Sequence, residues 1–393
     1  MAAPADVSPW VIVAGGFHET GGMDRANRAL ASYLLRCGTP VHLVGHEIDA
    51  DLVSHPLATV HQVPRPAGMP ALAERLLSRA GIARARDVVR RFPHARVVVN
   101  GGNCWWPDIN WVHAVHAAWP VRDDGVPWWS RMRNRRLKTI ARGRERRAVP
   151  QARLVVANSE ATRAALRQHL SVPSERVHTV YLGSDPSWGP ADAAERAAAR
   201  VRFAVEPCVP VIAFVGALGS DLNKGFEILW SAWKRLRAPG RWDARLLVAG
   251  AGWRLARWQH EAARDEALRG VHFLGFTPAV RDVLAAADLL VSPVRYESYG
   301  LNVQEALCRG LAVMVTRSAG VTERFDPAMS EALLPPDITA DALASRLLDW
   351  RRDVEGWRAR ASSTAARLRA RSWDDMAAEL VEAASAGRRR IPA

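Results

Sequence analysis

Short apolar segments alternate with amphipathic segments along the chain, and this alternation is the strongest constraint on its fold. In the first half, four apolar runs are predicted to be strands: 10–14, 41–44, 96–100 and 154–158. Between the first two lies a predicted helix at 24–37, whose apolar residues recur at helical spacing and which Gly38 ends. Another predicted helix follows the last run and is capped by Ser159. Strands that alternate with helices predict an α/β fold with a parallel sheet.

The same pattern restarts in the second half of the chain. Its predicted strands are 209–215, 246–249, 271–273, 288–292 and 312–316. Gly, Pro and Ser are concentrated at 181–190, between the two halves. Because 393 residues are too many for one ordinary core, we predict two Rossmann-like domains, 1–187 and 188–370. Their parallel sheets are expected to face a central cleft, where ligands of such sheets bind.

Two glutamates, Glu297 and Glu305, stand eight residues apart, with Gly300 between them. Glu297 follows a predicted strand, and Glu305 lies about one turn into the next predicted helix. The start of that helix favours anions, because its first N–H groups have no intrahelical partner. This arrangement suits a ligand with a phosphate in the middle and hydroxyls at both ends, as in a nucleotide sugar. Glu305 is the better candidate for ribose hydroxyls and Glu297 for sugar hydroxyls. The alternative is a pair of surface carboxylates.

A lysine, Lys224, ends a loop that begins at Gly216, directly after the predicted strand 209–215. The chain otherwise uses arginine almost throughout, and its other lysines are Lys138 and Lys234. A cation beside the N–H groups of a helix start can hold a diphosphate and neutralise the charge on a leaving phosphate. The alternative is a solvated lysine in a surface loop.

The first domain contributes two further candidate groups. A glycine-rich loop at 15–23, which includes Gly22, lets the backbone approach a ligand closely. It lacks the G-x-G-x-x-G pattern of dinucleotide sites, and a plain flexible turn is its alternative. His113 and His116 follow another predicted strand. Either can hydrogen-bond a sugar or phosphate or transfer a proton, and a structural histidine is the alternative. We favour His113, which directly follows the apolar pair.

Composition excludes several classes of protein. The formal net charge is +14, but it comes from an arginine-rich composition, and no nucleic-acid-binding motif is present. The four cysteines form no C-x-x-C pair, and the D-x-D at Asp49 and Asp51 is too short to predict a metal site. We therefore expect no metal and no cofactor. Without a membrane-spanning segment or secretory leader, the sequence predicts a cytoplasmic protein.

Six tryptophans cluster in one segment of the first domain: Trp105, Trp106, Trp111, Trp119, Trp128 and Trp129. A strongly basic helical stretch follows at 131–147, in which Arg131, Arg135, Lys138 and Arg142 share one face. Aromatic residues beside a basic helix suit the surface of an anionic membrane, or they can stack on the sugar rings of an acceptor. The alternative is a solvated basic helix and tryptophans packed in the core.

Taken in order, the motifs resemble the family-4 retaining glycosyltransferases, which have the GT-B fold. The resemblance covers most of the chain and rests on the glycine-rich loop and on these segments: 154–160, 177–185, 215–225, 272–275, 286–293 and 297–305. It implies a donor nucleotide sugar in the second domain, an acceptor in the first, no metal, and a C-terminal helix within 371–393 that crosses back to the first domain.

The resemblance also implies roles for individual residues. Lys224 and Gly216 would hold the diphosphate, and Glu305 the ribose. Glu297 and the amides of Gly300, Leu301 and Asn302 would hold the sugar and phosphate, and His113 would contact the transferred sugar. Many members carry an arginine soon after the first glycine of the phosphate loop, where this chain has Ala217 and Leu218. This departure leaves donor affinity open.

The resemblance therefore predicts a hexosyltransferase that acts on a nucleotide-diphosphate sugar and a carbohydrate or lipid-linked acceptor. Such an enzyme would serve glycan, polysaccharide or glycolipid synthesis, at the inner face of the membrane where the acceptor is lipid-linked. The alternatives are a non-catalytic relative that binds nucleotide sugar or membrane, and a nicotinamide-dependent dehydrogenase, which the missing dinucleotide motif disfavours.

Overall fold

The computed structural model describes residues 8–120, 127–219, 222–237 and 242–386. The chain divides into two compact units. The N-terminal unit consists of the residues up to Trp119, of Trp128–Gly183 and of the segment from Ser372 onward. The C-terminal unit consists mainly of Ser184–Arg371. The division falls just before the boundary expected near residue 187.

The elements follow the alternation seen in the sequence. The strands are β1 (Trp10–Val13), β2 (Gly16–Phe17), β3 (Val41–Gly45), β4 (Glu47–Ile48), β5 (Ala58–Gln62), β6 (Arg96–Val99), β7 (Ile109–Val112), β8 (Leu154–Ala157), β9 (Val177–Thr179), β10 (Val211–Val215), β11 (Arg245–Ala249), β12 (Val271–Gly275), β13 (Leu289–Ser292), β14 (Ala312–Thr316) and β15 (Leu333–Leu334). The helices are α1 (Gly22–Arg36), α2 (Ala50–Val53), α3 (Pro70–Arg91), α4 (Trp128–Ala148), α5 (Glu160–Leu170), α6 (Ala193–Arg202), α7 (Phe226–Arg237), α8 (Leu255–Arg264), α9 (Val280–Ala286), α10 (Leu301–Cys308), α11 (Ala340–Arg352), α12 (Val354–Ala370) and α13 (Trp373–Ala386).

The N-terminal unit is built on a parallel sheet with the strand order β5-β3-β1-β6-β7-β8-β9. The chain runs outward from β1 to one side and then returns to place β6 on the other side. Strands β1, β6 and β8 are almost wholly buried, as expected for a parallel sheet covered on both faces. The prediction of a parallel α/β sheet is confirmed for this unit.

The C-terminal unit repeats this architecture with the strand order β12-β11-β10-β13-β14-β15. Strand β10 pairs in parallel with β13, through Ile212 opposite Leu289 and Ala213 opposite Leu290. The order reverses between these two strands, so the connections that leave β10 and β13 diverge to opposite sides. Ligands of open α/β sheets bind outside the carboxyl ends of strands at such a reversal.

Local sequence signals explain how individual helices begin and pack. The Ser159 hydroxyl accepts a hydrogen bond from the Thr162 amide at 3.0 Å, which confirms Ser159 as the cap of α5. Helix α13 packs within the N-terminal unit, where Asp374 pairs with Arg36 of α1. Arg153 also donates to the Ala384 carbonyl at 3.2 Å. None of the helices in the described part of the chain has the length and apolar character needed to cross a bilayer.

Helix α7 presents the apolar face expected from its spacing. The buried residues of this face are Phe226, Leu229, Trp230, Trp233 and Leu236. The Phe226 ring packs edge-on against Phe214 of β10 and Trp258 of α8, with centroid distances of 4.9 and 4.7 Å. This packing fixes the start of α7 against the end of β10, and therefore fixes the segment that precedes the helix.

Candidate functional site

The reversal of strand order in the C-terminal unit brings together two loops that the sequence analysis had singled out. The loop after β10 begins at Gly216 and reaches α7 through Lys224, although Ser220 and Asp221 lie outside the described residues. The loop after β13 runs from Pro293 to Gly300 and leads into α10. Because β10 and β13 are parallel neighbours, both loops start at the same edge of the sheet.

Lys224 and Glu297 form an ion pair between these two loops. The exposed fraction of the lysine side chain is 33%, and that of the glutamate is 15%, so their charges are only partly screened by water. Residues that are 73 positions apart in sequence therefore place one cation and one anion at the switch point of the sheet. The sequence analysis had assigned both residues to one ligand but had not predicted their direct contact.

A glycine next to Lys224 makes this contact possible. Gly225 has a backbone φ of +69°, and a Cβ atom there would lie 1.9 Å from the Pro293 carbonyl oxygen. Any other residue would clash with the second loop and would also adopt an unfavourable conformation. The close approach of the two backbones at Gly225 sets the position of Lys224.

Arg295, in the loop after β13, makes further contacts that hold the two loops together. Its backbone N–H donates to the Asn223 carbonyl and its Nη1 to the Leu222 carbonyl, each at 2.8 Å. Its guanidinium also pairs with Glu227 in the first turn of α7. Arg295 thus connects the loop of Glu297 to both ends of the segment that carries Lys224. The sequence analysis missed this residue, because an arginine in a loop of an arginine-rich chain gives no distinctive signal.

We expect Arg295→Lys to raise the KM for the donor, or the Kd for its nucleotide, by about tenfold to a hundredfold. A lysine retains the charge opposite Glu227 but lacks the planar donor group that reaches Leu222, and small misplacements of binding groups have effects of this size. Donor titration and thermal unfolding of both proteins test this. Arg245→Lys is the matched control, since Arg245 pairs with Glu206 at the opposite end of β11. Unchanged donor affinity in Arg295→Lys would contradict the positioning role.

Helix α10 begins at the edge of the sheet where the ion pair lies. Gly300 precedes it with φ of +104° and provides no side-chain cap. The first N–H groups of such a helix have no intrahelical acceptor and carry a partial positive charge. The side chain of Asn302 donates to the Val215 carbonyl at 2.9 Å, which ties the helix to the end of β10. The Asn302 side chain is thereby engaged in the structure, and the ligand role expected at 300–302 concerns the backbone amides.

Buried polar side chains hold α10 from behind. Tyr299 is buried and donates from its hydroxyl to Gln304. Burial raises the pKa of Tyr299, so the hydroxyl stays protonated. Gln304 donates onward to the Ser184 hydroxyl at 2.9 Å. Glu305 is the next residue and is partly buried, so this network fixes the turn of α10 from which Glu305 projects.

Gly250, which follows β11, lies at a close approach of two backbone segments that only a glycine allows. A Cβ atom at Gly250 would lie 1.8 Å from the Gly216 carbonyl oxygen, whereas one at Gly216 would make ordinary contacts of 3.4 Å with Lys224 and Phe214. The sequence analysis selected Gly216 and overlooked Gly250. Leu218 is one of the two residues that stand where many family members carry an arginine. It is buried, and its backbone N–H donates to the Ala251 carbonyl. This segment is therefore part of the packing of the sheet.

In the N-terminal unit, the glycine-rich loop follows β1, which adjoins the point where the strand order reverses. Helix α1 starts at Gly22 after Gly21, whose φ is +89° and which provides no side-chain cap. A Cβ atom at Gly16 would lie 2.6 Å from the His18 imidazole. The His18 side chain therefore lies close to the backbone at Gly16.

His113 directly follows β7 at the carboxyl end of the same sheet. Its ring lies against Trp111, with a centroid distance of 4.5 Å, and Asn158 donates to its carbonyl at 3.1 Å. The Nε2 atom is buried and has no hydrogen-bond partner among the described residues. Burial lowers the pKa of His113 to about 3, so the imidazole is neutral at physiological pH. A neutral, unpartnered ring nitrogen is suited to hydrogen bonding rather than to proton transfer near neutral pH.

His116 has a different environment. Its backbone N–H donates to Glu145 Oε1 at 3.0 Å, and its ring stacks on Trp119 with a centroid distance of 5.7 Å. Glu145 is fully buried and also accepts from the Ala117 amide at 3.0 Å. The carboxylate therefore organises the chain after β7, a role that the sequence analysis missed because Glu145 stands within a run of arginines.

The two aspartates of the D-x-D sequence, Asp49 and Asp51, are both bound by an arginine. Arg28 of α1 donates to Asp49 and to Asp51, with distances of 2.8 Å in both cases. Both carboxylates are thus engaged by one guanidinium. Nowhere in the described residues do three or more His, Cys, Asp or Glu side chains come together in an arrangement that could hold a metal.

Comparison with protein families places these features in context. Residues 209–353 match the model of "Glycosyl transferases group 1", and residues 20–188 match that of "Glycosyltransferase Family 4". The first match contains β10, β13 and both loops of the C-terminal site. The second contains the glycine-rich loop from Thr20 and His113.

Individual relatives match this chain at low sequence identity. The chain is 30% identical over 221 residues to the alpha-D-kanosaminyltransferase of Streptomyces kanamyceticus, a match that covers 53% of this chain and 55% of that protein. It is 27% identical over 308 residues to the D-inositol 3-phosphate glycosyltransferase of Corynebacterium urealyticum, covering 74% of this chain and 70% of that protein. The chain thus spans about half the length of the first of these relatives.

Solved structures share the fold over nearly the whole chain. WaaG, a glycosyltransferase involved in lipopolysaccharide biosynthesis, superposes with a TM-score of 0.74 at 19% identity, covering 95% of this chain and 99% of WaaG. Anabaena HepE, solved in complex with UDP-glucose, gives a TM-score of 0.69 at 17% identity, covering 96% and 99%. Since both domain models match in order and both units have the Rossmann-like topology, the chain belongs to the group 1, family 4 glycosyltransferases and has the GT-B fold.

Proposed function

We propose that this glycosyltransferase moves a hexose-type sugar from a nucleotide-diphosphate sugar to an acceptor hydroxyl, with retention of configuration and without a metal. The observation that carries the proposal is the ion pair of Lys224 and Glu297 beside the uncapped start of α10. One site thereby offers a cation and helix amides for a diphosphate, and a carboxylate for the sugar hydroxyls. That HepE was solved with UDP-glucose supports this class of donor.

Each residue of the C-terminal unit has a distinct proposed role. Lys224 binds the diphosphate, and the backbone amides of 300–302 bind the phosphate next to the sugar. Glu297 accepts hydrogen bonds from the sugar hydroxyls near the reacting carbon. Glu305 lies farther along α10, partly buried, and accepts hydrogen bonds from the ribose. Along the chain, Glu297, the amides of 300–302 and Glu305 follow one another in the order of sugar, phosphate and ribose in the donor.

The proposed reaction proceeds on one face of the sugar. The bond between the anomeric carbon and the phosphate oxygen breaks, and the acceptor oxygen bonds to the same carbon from the same side. The proton of the acceptor hydroxyl passes to the departing phosphate oxygen, so the protein supplies no base. Lys224 and the amides of α10 neutralise the negative charge that develops on the phosphate.

The N-terminal unit is proposed to bind the acceptor. The glycine-rich loop and the start of α1 at Gly22 expose backbone N–H groups at the switch point of that sheet. His113 is proposed to hydrogen-bond the transferred sugar as a neutral imidazole, because burial keeps its pKa far below neutrality. The acceptor is a carbohydrate or a lipid-linked sugar, in glycan, polysaccharide or glycolipid synthesis in the cytoplasm.

A non-catalytic relative that binds nucleotide sugar is the second candidate. It is favoured by Ala217 and Leu218, which leave the phosphate loop without the arginine that many family members carry there. The ion pair of Lys224 and Glu297 weighs against it, because both charges are placed where the donor would bind.

A panel of UDP-glucose, ADP-glucose and GDP-mannose distinguishes the two candidates. We expect one donor to raise the Tm of the protein and to be cleaved slowly in metal-chelated buffer, with release of its nucleoside diphosphate. The first candidate fails if no donor is cleaved with or without simple sugar acceptors. Stabilisation without cleavage would favour the non-catalytic relative, and the absence of both would reject the donor site.

A further inference from the structure

The first turns of α4 carry large apolar side chains that the protein leaves in water. The exposed fractions are 70% for Trp128, 54% for Trp129 and 64% for Met132. Met132 neighbours both tryptophans on the helical surface, because it follows Trp128 by four positions and Trp129 by three. We call these three residues the apolar tip. Two tryptophans exposed side by side form a patch that a folded protein normally buries.

Arginines flank the apolar tip. Helix α4 contains nine Arg or Lys residues and a single acidic residue, Glu145, which is buried and bound to the amides of His116 and Ala117. Arg133 and Arg136 are exposed next to the tip, and neither is paired with a carboxylate within the described part of the chain. The outward surface of this helix is therefore both apolar and strongly cationic.

The remainder of α4 explains why the tip stays exposed. Its second half is anchored, since Glu145 and Ala148 are buried and Arg142 donates to the carbonyls of His116 and Trp119 at 3.0 and 2.8 Å. Lys138 lies over the Trp119 ring, 5.7 Å from its centroid. Lys138 and Arg142 of the basic face expected from the sequence are thus turned towards the protein, whereas the apolar tip is exposed.

We propose that the apolar tip and the arginines beside it dock this protein on an anionic lipid bilayer. Tryptophan is favoured at the boundary between headgroups and acyl chains, and Met132 can enter the apolar layer beneath it. Arg133 and Arg136 are within the same turns and can reach lipid phosphates, each adding to the attraction. A nucleic acid would engage the arginines but would leave Met132 in water, so the bilayer accounts for more of the surface. The inference does not depend on the donor site.

Co-sedimentation of the full chain with vesicles tests the proposal. We expect binding to phosphatidylcholine mixed with phosphatidylglycerol in equal parts, and much weaker binding to phosphatidylcholine alone. Replacing Trp128 and Trp129 together by serine should abolish the binding. Arg133→Gln with Arg136→Gln should lower the partition coefficient by about tenfold or more. The Tm should stay unchanged in both variants, since all four side chains are exposed.

Matched controls separate this surface from the bulk charge of the chain. Trp253→Ser removes a tryptophan of the C-terminal unit that has the same exposed fraction as Trp129, 54%. Arg90→Gln with Arg91→Gln removes two exposed arginines at the end of α3. Both controls should bind vesicles as the wild type does. Equal losses of binding in the control variants would overturn the proposal, and so would equally strong binding to vesicles of phosphatidylcholine alone. The proposal would also be overturned if RNA displaced the protein from anionic vesicles while the tip variants bound these vesicles as the wild type does.

Discussion

Lys224→Met is expected to reduce donor cleavage by about a thousandfold, the effect of removing one well-placed charge from a developing anion. Methionine keeps the apolar stem of lysine, so the space beside Gly216 that the stem occupies stays filled. The loss should exceed that of one contact, because Glu297 would then face the diphosphate without a counter-charge. Initial rates of nucleoside diphosphate release and the Kd of the free nucleoside diphosphate measure the effect.

Lys234→Met is the control for this substitution. Lys234 lies on α7 in the same unit and pairs with Glu261 at 2.6 Å, but it belongs to the last turn of the helix, away from the strand ends. We expect the control to leave cleavage and nucleotide affinity unchanged. If Lys224→Met cleaved the donor at the wild-type rate, Lys224 would be a structural partner of Glu297 and the proposed diphosphate site would be wrong.

Much of the fold could be predicted because each parallel strand is a short apolar run between turn signals. Strand β14 was predicted with its observed bounds, and α7 with its buried face, since both patterns depend only on local spacing. Strand β5 and helix α3 were not predicted. The burial of β5 is incomplete along its length, because it forms the edge of the sheet, so its residues lack a continuous apolar pattern.

The candidate site could be predicted only in part, for a physical reason. Lys224 and Glu297 each follow a strand, and parallel strands bring such positions to one edge. Their pairing, the contact at Gly225 and the role of Arg295 depend instead on how two distant loops approach each other. No local spacing encodes that approach. The same holds for Glu145, whose role appears only once the chain after β7 lies beside α4.

The tryptophans in and before helix α4 differ in their burial. The sequence offered core packing, sugar stacking and membrane contact for its tryptophans. Trp111 is fully buried and belongs to the core, whereas Trp128 and Trp129 are exposed. The tryptophans of this segment therefore divide into buried and exposed residues, a division that the sequence analysis did not make.

Glu297→Gln is expected to lower donor cleavage by about a hundredfold while leaving the affinity for the free nucleoside diphosphate unchanged or higher. Glutamine keeps the size of the side chain but accepts weaker hydrogen bonds from the sugar hydroxyls. It also removes a negative charge next to Lys224, which then remains fully available to the diphosphate. Cleavage rates with the sugar-bearing donor and Kd values with the sugar-free nucleotide separate these two effects.

The double variant Lys224→Met with Glu297→Gln decides between a ligand site and a merely structural ion pair. If Glu297 repels the diphosphate once Lys224 is gone, the double variant should bind the nucleoside diphosphate more tightly than Lys224→Met alone, at the same Tm. The Lys234 and Glu261 pair provides a parallel cycle in the same unit, which should change neither nucleotide affinity nor cleavage. A structural pair would show its coupling in Tm instead, and nucleotide affinity would then be identical in Lys224→Met and the double variant.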